Sequence, residues 1–111
     1  MEGIQVFLMI KENDLIKKLE NISANFPKRL LKLEGYLLRN NSKEILEIII
    51  YKGFSSSTTH QIEIDIEKRV LNFKYHFTYF KLYEAPLNKG SETIIKERKN
   101  SLFFLDQKNW N

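Results

Sequence analysis

Apolar residues recur at helical spacing early in the chain and mostly at strand spacing afterwards. Leu15, Ile16, Leu19, Ile22 and Phe26 share one side, with Lys17, Lys18, Glu20 and Asn21 on the other. That spacing predicts a helix from about 13 to 24, with Asn13 or Asp14 as N-cap. Pro27 ends it, because the residue before proline avoids the helical region. Residues 4–10 are apolar but too short to assign between a strand and a first helical turn. Residues 30–39 and 44–52 read as strands joined by a turn over Arg39-Asn40-Asn41-Ser42-Lys43, and therefore as an antiparallel hairpin. The second has apolar residues on both faces, which predicts an interior strand covered by the helix on one side. Gln61 to Glu67 alternates strictly, Ile62, Ile64 and Ile66 against acids, and predicts a half-buried strand. Val70 to Glu84 places Phe73, Tyr75, Phe77 and Tyr79 on one strand face, with His76 opposite. Ser91 caps a short predicted helix over 91–99, and 101–105 is a last apolar segment, helix or strand. The expected class is α+β: a small antiparallel sheet of about four strands, an N-terminal helix and a short C-terminal helix.

At 111 residues with 42% hydrophobic content and fourteen aromatics, the chain reads as one domain, 1–111, with a packed core. It has no cysteine, which removes disulfides, thiolate nucleophiles and cysteine metal sites. No window approaches the ~20 apolar residues of a membrane-spanning helix, and no signal peptide is recognisable. The expectation is a soluble, intracellular protein. The net charge is +4, and the halves 1–55 and 56–111 each carry nine basic and seven acidic residues, so there is no basic arm. Only four of the eighteen basic residues are Arg, the side chain suited to bidentate phosphate and base contacts. The excess of Lys, with thirteen Ile and ten Asn, matches AT-rich codon usage as well as it matches an anionic partner.

The least generic segment is Lys52-Gly53-Phe54-Ser55-Ser56-Ser57-Thr58-Thr59-His60. Gly53 would let backbone amides approach an anion, hydroxyls of Ser55, Ser56, Ser57 and Thr58 would add donors, and Lys52 would add charge. The plainer and preferred reading is a strand end whose hydroxyls bond the local backbone. It is not a P-loop, since no Gly-Lys-Ser/Thr follows at the required spacing. Ser55–Ser57 with His60, His76 and Asp65 have the residue types of a hydrolase triad, but no nucleophile elbow. His60, Glu63, Asp65, Glu67 and His76 form no recognisable metal-ligand pattern. No catalytic residue, metal or cofactor is therefore expected. The aromatic strand, with Lys74 and Lys81 nearby, could be a stacking platform for nucleic acid, although a sheet face of aromatics is more often core. Gly53 is expected where a Cβ is disfavoured. Phe54 is expected to turn inward, so that Phe54→Ala would cost about 3–5 kcal/mol.

Ile50-Tyr51-Lys52-Gly53-Phe54-Ser55-Ser56-Ser57-Thr58 resembles a domain family of unknown function from cyanobacteria and plastids, whose strand ends in Lys-Gly-Phe-Ser-Ser-Ser. Upstream, Leu33 to Leu37 and Glu44-Ile45 are similar to the family's preceding hairpin. Downstream, Phe77 to Asn88, with Ala85-Pro86, and Ser91 to Asp106 are similar to its later segments. The resemblance spans about 30–106 and departs after Thr59, where His60 to Asp65 replaces a proline- and Asp-rich loop. It implies a cyanobacterial cytoplasm or plastid stroma and no known activity. The resulting expectation is a non-enzymatic binding module that contacts a protein partner. An RNA- or ribosome-associated protein is the alternative. A small hydrolase or anion-binding enzyme using the serine run is the third.

Overall fold

The computed structural model describes residues 12–39, 41–59 and 74–111. Helix α1 (Glu12–Ser23) precedes five strands: β1 (Arg29–Arg39), β2 (Ser42–Tyr51), β3 (Phe54–Ser57), β4 (Lys74–Glu84) and β5 (Ile94–Arg98). Two 3-10 turns, Ser101–Leu105 and Gln107–Trp110, follow. The strands form one antiparallel sheet in the order β3-β2-β1-β4-β5.

The N-terminal helix and the 30–39/44–52 hairpin lie where the apolar spacing predicts them. Among the described residues the sheet has five strands rather than about four. The serine run supplies one of them, β3. The helix expected over 91–99 is strand β5, because Ile94 pairs with Tyr83 and Lys96 with Leu82. The expected short C-terminal helix is replaced by the 3-10 turns. The strand predicted at 61–67 and the apolar stretch 4–10 lie outside the described residues.

One sheet face is covered. Leu31, Leu33 and Leu37 of β1, Leu46, Ile48 and Ile50 of β2, and Phe77, Phe80 and Leu82 of β4 are buried there against Leu15, Ile16 and Leu19 of α1. Alternation along each strand sends the intervening residues to the opposite face, which is open around Ile45 and Phe54, whereas the Leu30–Tyr83 pair on it is buried. The C-terminal turns extend the core at one end. Trp110 is fully buried, stacks on Phe26 at 6.0 Å and meets Phe104 edge-on at 6.4 Å. Its indole N–H donates to the Phe104 carbonyl at 2.8 Å, and Arg29 Nε donates to the Trp110 carbonyl at 2.9 Å.

The central strand sets the pattern of both faces at Gly35. There the β1/β4 register slips: Glu34 pairs with Tyr79 and Gly35 with Phe77, leaving Thr78 as an extra residue. A Cβ on Gly35 would collide with the His76 carbonyl oxygen and lie 2.7 Å from the Phe77 Cα. Glycine is therefore required for the backbones to approach. The bulge also corrects the single aromatic face expected on this strand. Tyr75 and Phe77 face the core, but beyond Thr78 the alternation is inverted, so Phe80 and Leu82 face inward and Tyr79 outward.

Gly35→Ala is expected to destabilise the protein by about 3 kcal/mol or more, since backbone rather than a side-chain tip must yield. Trp110→Ala should cost about 3–5 kcal/mol as a buried aromatic truncation. Urea denaturation of each variant measures both.

Candidate functional site

β2 and β3 are joined by the two-residue turn Lys52-Gly53. Both turn residues have positive φ, +52° and +86°, the signature of a type I′ hairpin. Gly53 suits such a position, and a Cβ there would also press on Ala24 Cβ at 3.3 Å, so the expectation for Gly53 holds. Lys52 is an uncommon residue at positive φ. The turn is tied to the end of α1. The Gly53 N–H donates to Ser23 Oγ at 2.8 Å, and Ser23 is fully buried. Ser55 Oγ donates to Glu20 Oε2 at 2.6 Å.

These bonds decide what the serine run does chemically. The Gly53 amide, which an anion would need, is committed to Ser23. Ser55 lies against a carboxylate, whose charge opposes a bound anion. Ser55 and Ser57 pair with Ile50 and Ile48 on the inward side of β3, and Ser56 faces outward, exposed. The Thr58 hydroxyl donates to the Glu47 carboxylate, and Thr59 Oγ1 accepts the Glu47 N–H at 3.1 Å. His76 sits on the open face beside Tyr36, with ring centroids 5.9 Å apart. It is three strand positions from β3, about 14 Å across the sheet, and on the opposite face from Ser55 and Ser57. His76 and these serines form no nucleophile–base pair. His60, Glu63, Asp65 and Glu67 lie outside the described residues. Among the described residues, no three His, Asp or Glu side chains converge as a metal site.

Phe54 does not turn inward. It is 78% exposed, because a two-residue hairpin fixes its direction: it pairs with Tyr51, which faces away from the core. Phe54 thereby joins a surface that the sequence reading did not anticipate. Along the outer side of β2 run Ile45, Glu47, Ile49 and Tyr51. Ile45, paired with Tyr36, is also 78% exposed. The signal was present in the apolar residues on both faces of β2, of which α1 covers only one.

The charges of this face are largely matched within it. Lys32 reaches Glu47 at 3.8 Å and Lys81 reaches Glu34 at 3.2 Å. The Tyr79 hydroxyl donates to Glu97 at 2.6 Å. Every tyrosine on this face carries a lysine over its ring: Lys43 on Tyr36 at 4.2 Å, Lys52 on Tyr51 at 5.2 Å, Lys81 on Tyr79 at 5.4 Å and Lys32 on Tyr83 at 5.0 Å. The hydrogen bond to Glu97 holds the Tyr79 phenol above its ordinary pKa, and partial desolvation adds to it. The bond to Glu34 raises Lys81 against a smaller cost of desolvation. Desolvation alone would lower Lys32, but a hydrogen bond to Tyr83 and the charge of Glu47 outweigh it, so Lys32 too is raised.

The family described as a domain of unknown function (DUF7734) matches residues 16–101. The chain belongs to that family. The match takes in most of α1, all five strands and the whole of the open face. No curated protein and no solved structure matches the chain. Among the described residues, no helix is long and apolar enough to cross a membrane.

Ser23→Ala should cost about 1–3 kcal/mol, because it strands the Gly53 N–H in a partly buried turn; thermal unfolding measures this. The raised groups also fix the sign of an alkaline response. Tyr79 stabilises the fold while protonated, fully below its ordinary pKa of 10.0 and not at all once pH has passed its higher folded value. Lys32 and Lys81 behave alike above 10.5. Urea titrations from pH 9 upward should therefore show falling stability, and Tyr79→Phe should flatten the earliest part of the fall.

Proposed function

We propose that the protein is a non-enzymatic binding or assembly module that docks a protein partner on the open face of its sheet. The observation that carries this reading is Phe54. It is a large aromatic side chain, 78% exposed, held outward by the hairpin beside Tyr51, which lies in line with Ile49 and Ile45 on β2. Aromatic anchors projecting from a preorganised backbone characterise protein interfaces. The matched charges behind them favour a protein surface over a polyanion. Lys32 and Lys81 already serve Glu47 and Glu34, and Glu34, Glu47 and Glu97 would repel phosphates. The RNA alternative drew on the aromatic strand, yet Tyr75 and Phe77 of that strand face the core. The serine-run enzyme loses support from the engagement of Gly53 and Ser55 by α1. The Lys52 to Ser57 resemblance supports a cyanobacterial cytoplasm or plastid stroma as the setting.

Affinity purification from a photosynthetic host, with wild-type protein and Phe54→Ala side by side, tests this function. Phe54→Ala is expected to keep stability within about 0.5 kcal/mol of wild type, as exposed positions do, and to lose the partner recovered with wild type. Recovery of no partner above background, or equal recovery by both proteins, would refute the reading. A large loss of stability in Phe54→Ala would remove its premise.

A further inference from the structure

The open face also carries information about the shape and charge of what docks on it. We infer that the occupant is an amphipathic helix of the partner with carboxylates near both ends, lying along β2. This inference rests on the docking function proposed above.

The outer side of β2 offers Ile45, Ile49 and Tyr51, with Phe54 beside Tyr51 on β3. From 45 to 51 is six strand residues, about 20 Å. The single charge within this track, Glu47, is engaged by Lys32 and Thr58. The lysines at its two ends differ from those in the middle of the sheet. Among the described residues, Lys43 beyond Ile45 and Lys52 beyond Tyr51 have no carboxylate partner. Each rests on a tyrosine ring. Both are exposed. Lys52 moreover occupies a left-handed turn position, φ +52°, which Asn or Gly fills with less strain. A residue held against its backbone preference points to a use for its side chain. The face is thus an apolar track with an unmatched positive charge at each end.

A segment crossing the face of a sheet cannot hydrogen-bond to that sheet, whose backbone groups point along its plane. An extended segment would leave its own N–H and C=O groups unpaired under the interface, whereas a helix pairs them internally. At 1.5 Å per residue, about thirteen or fourteen helical residues cover 20 Å. Carboxylates near the two ends of such a helix would meet Lys43 and Lys52.

The test uses the full chain and two synthetic fourteen-residue helical peptides with the same leucine stripe, one with paired Glu at both ends and one with paired Lys. Fluorescence anisotropy at low and raised salt follows binding. The Glu-ended peptide should bind about tenfold more tightly than the Lys-ended one, with the gap narrowing as salt rises. The double variant Lys43→Glu/Lys52→Glu, whose sites are exposed and whose fold circular dichroism checks, should reverse the preference. Ile45→Ser/Phe54→Ser should weaken both peptides. Equal binding of the two peptides, or a preference that survives the charge reversal, would overturn the acidic-ended helix. If Ile45→Ser/Phe54→Ser still weakened both, docking on the open face would stand. Wild-type binding by the serine double variant would overturn the helix and the docking face together. Binding of neither peptide, or tighter binding of oligouridylate lost on the same charge reversal, would also overturn the inference, the latter in favour of nucleic acid.

Discussion

The close approach of β1 and β4 at Gly35 is the constraint on which both faces of the sheet depend. A central strand must hydrogen-bond on both sides, and here one partner carries an extra residue. Thr78 is absorbed only because nothing projects from Gly35 into the His76–Phe77 backbone. Without that slip, alternation would keep Tyr79 with Phe77 and turn Phe80 outward. With it, Phe80 enters the core, and Tyr79 reaches the open face, where it bonds Glu97. One glycine thus separates the aromatic residues of β4 that enter the core from those that reach the opposite face.

The second organising contact is the attachment of the Lys52-Gly53 turn to the end of α1. Ser23 and Glu20 hold Gly53 and Ser55 from the covered side. The hydroxyl run that suggested a ligand loop is thereby used to fasten an edge strand to the helix. The side chains that face outward from the same hairpin, Phe54 and Ser56, are displayed on a backbone with little freedom left to lose. Such preorganisation lowers the entropic cost of binding.

Periodicity made α1 and the β1–β2 hairpin legible, because Leu15, Ile16 and Leu19 answer to a helix and Leu46, Ile48 and Ile50 to a strand. Other parts depended on pairing at a distance. Ile94 and Ile95, read beside Ser91, suit a helix locally, yet β4 recruits them as strand β5. Serines carry little strand preference, so β3 was hidden until the I′ turn folded it back on β2. Phe54 shows the limit most directly. Its hydrophobicity argued for burial, and the turn geometry, which depends on φ at two residues, sent it the other way. The bulge at Thr78 leaves no local mark, apart from a glycine on a different strand.

The edges of the sheet bear on how the molecule behaves in a crowded solution. An edge strand presents unpaired N–H and C=O groups at which copies of the chain can add strands and grow into fibres. Here one border is only four residues long and rich in hydroxyls, and the other is interrupted by an irregularity near Leu82 and ends in Lys96, Glu97 and Arg98. Among the described residues, neither offers a long, flat, apolar template. The borders at which further strands could add and the face that exposes Ile45 and Phe54 are thus different parts of the same sheet.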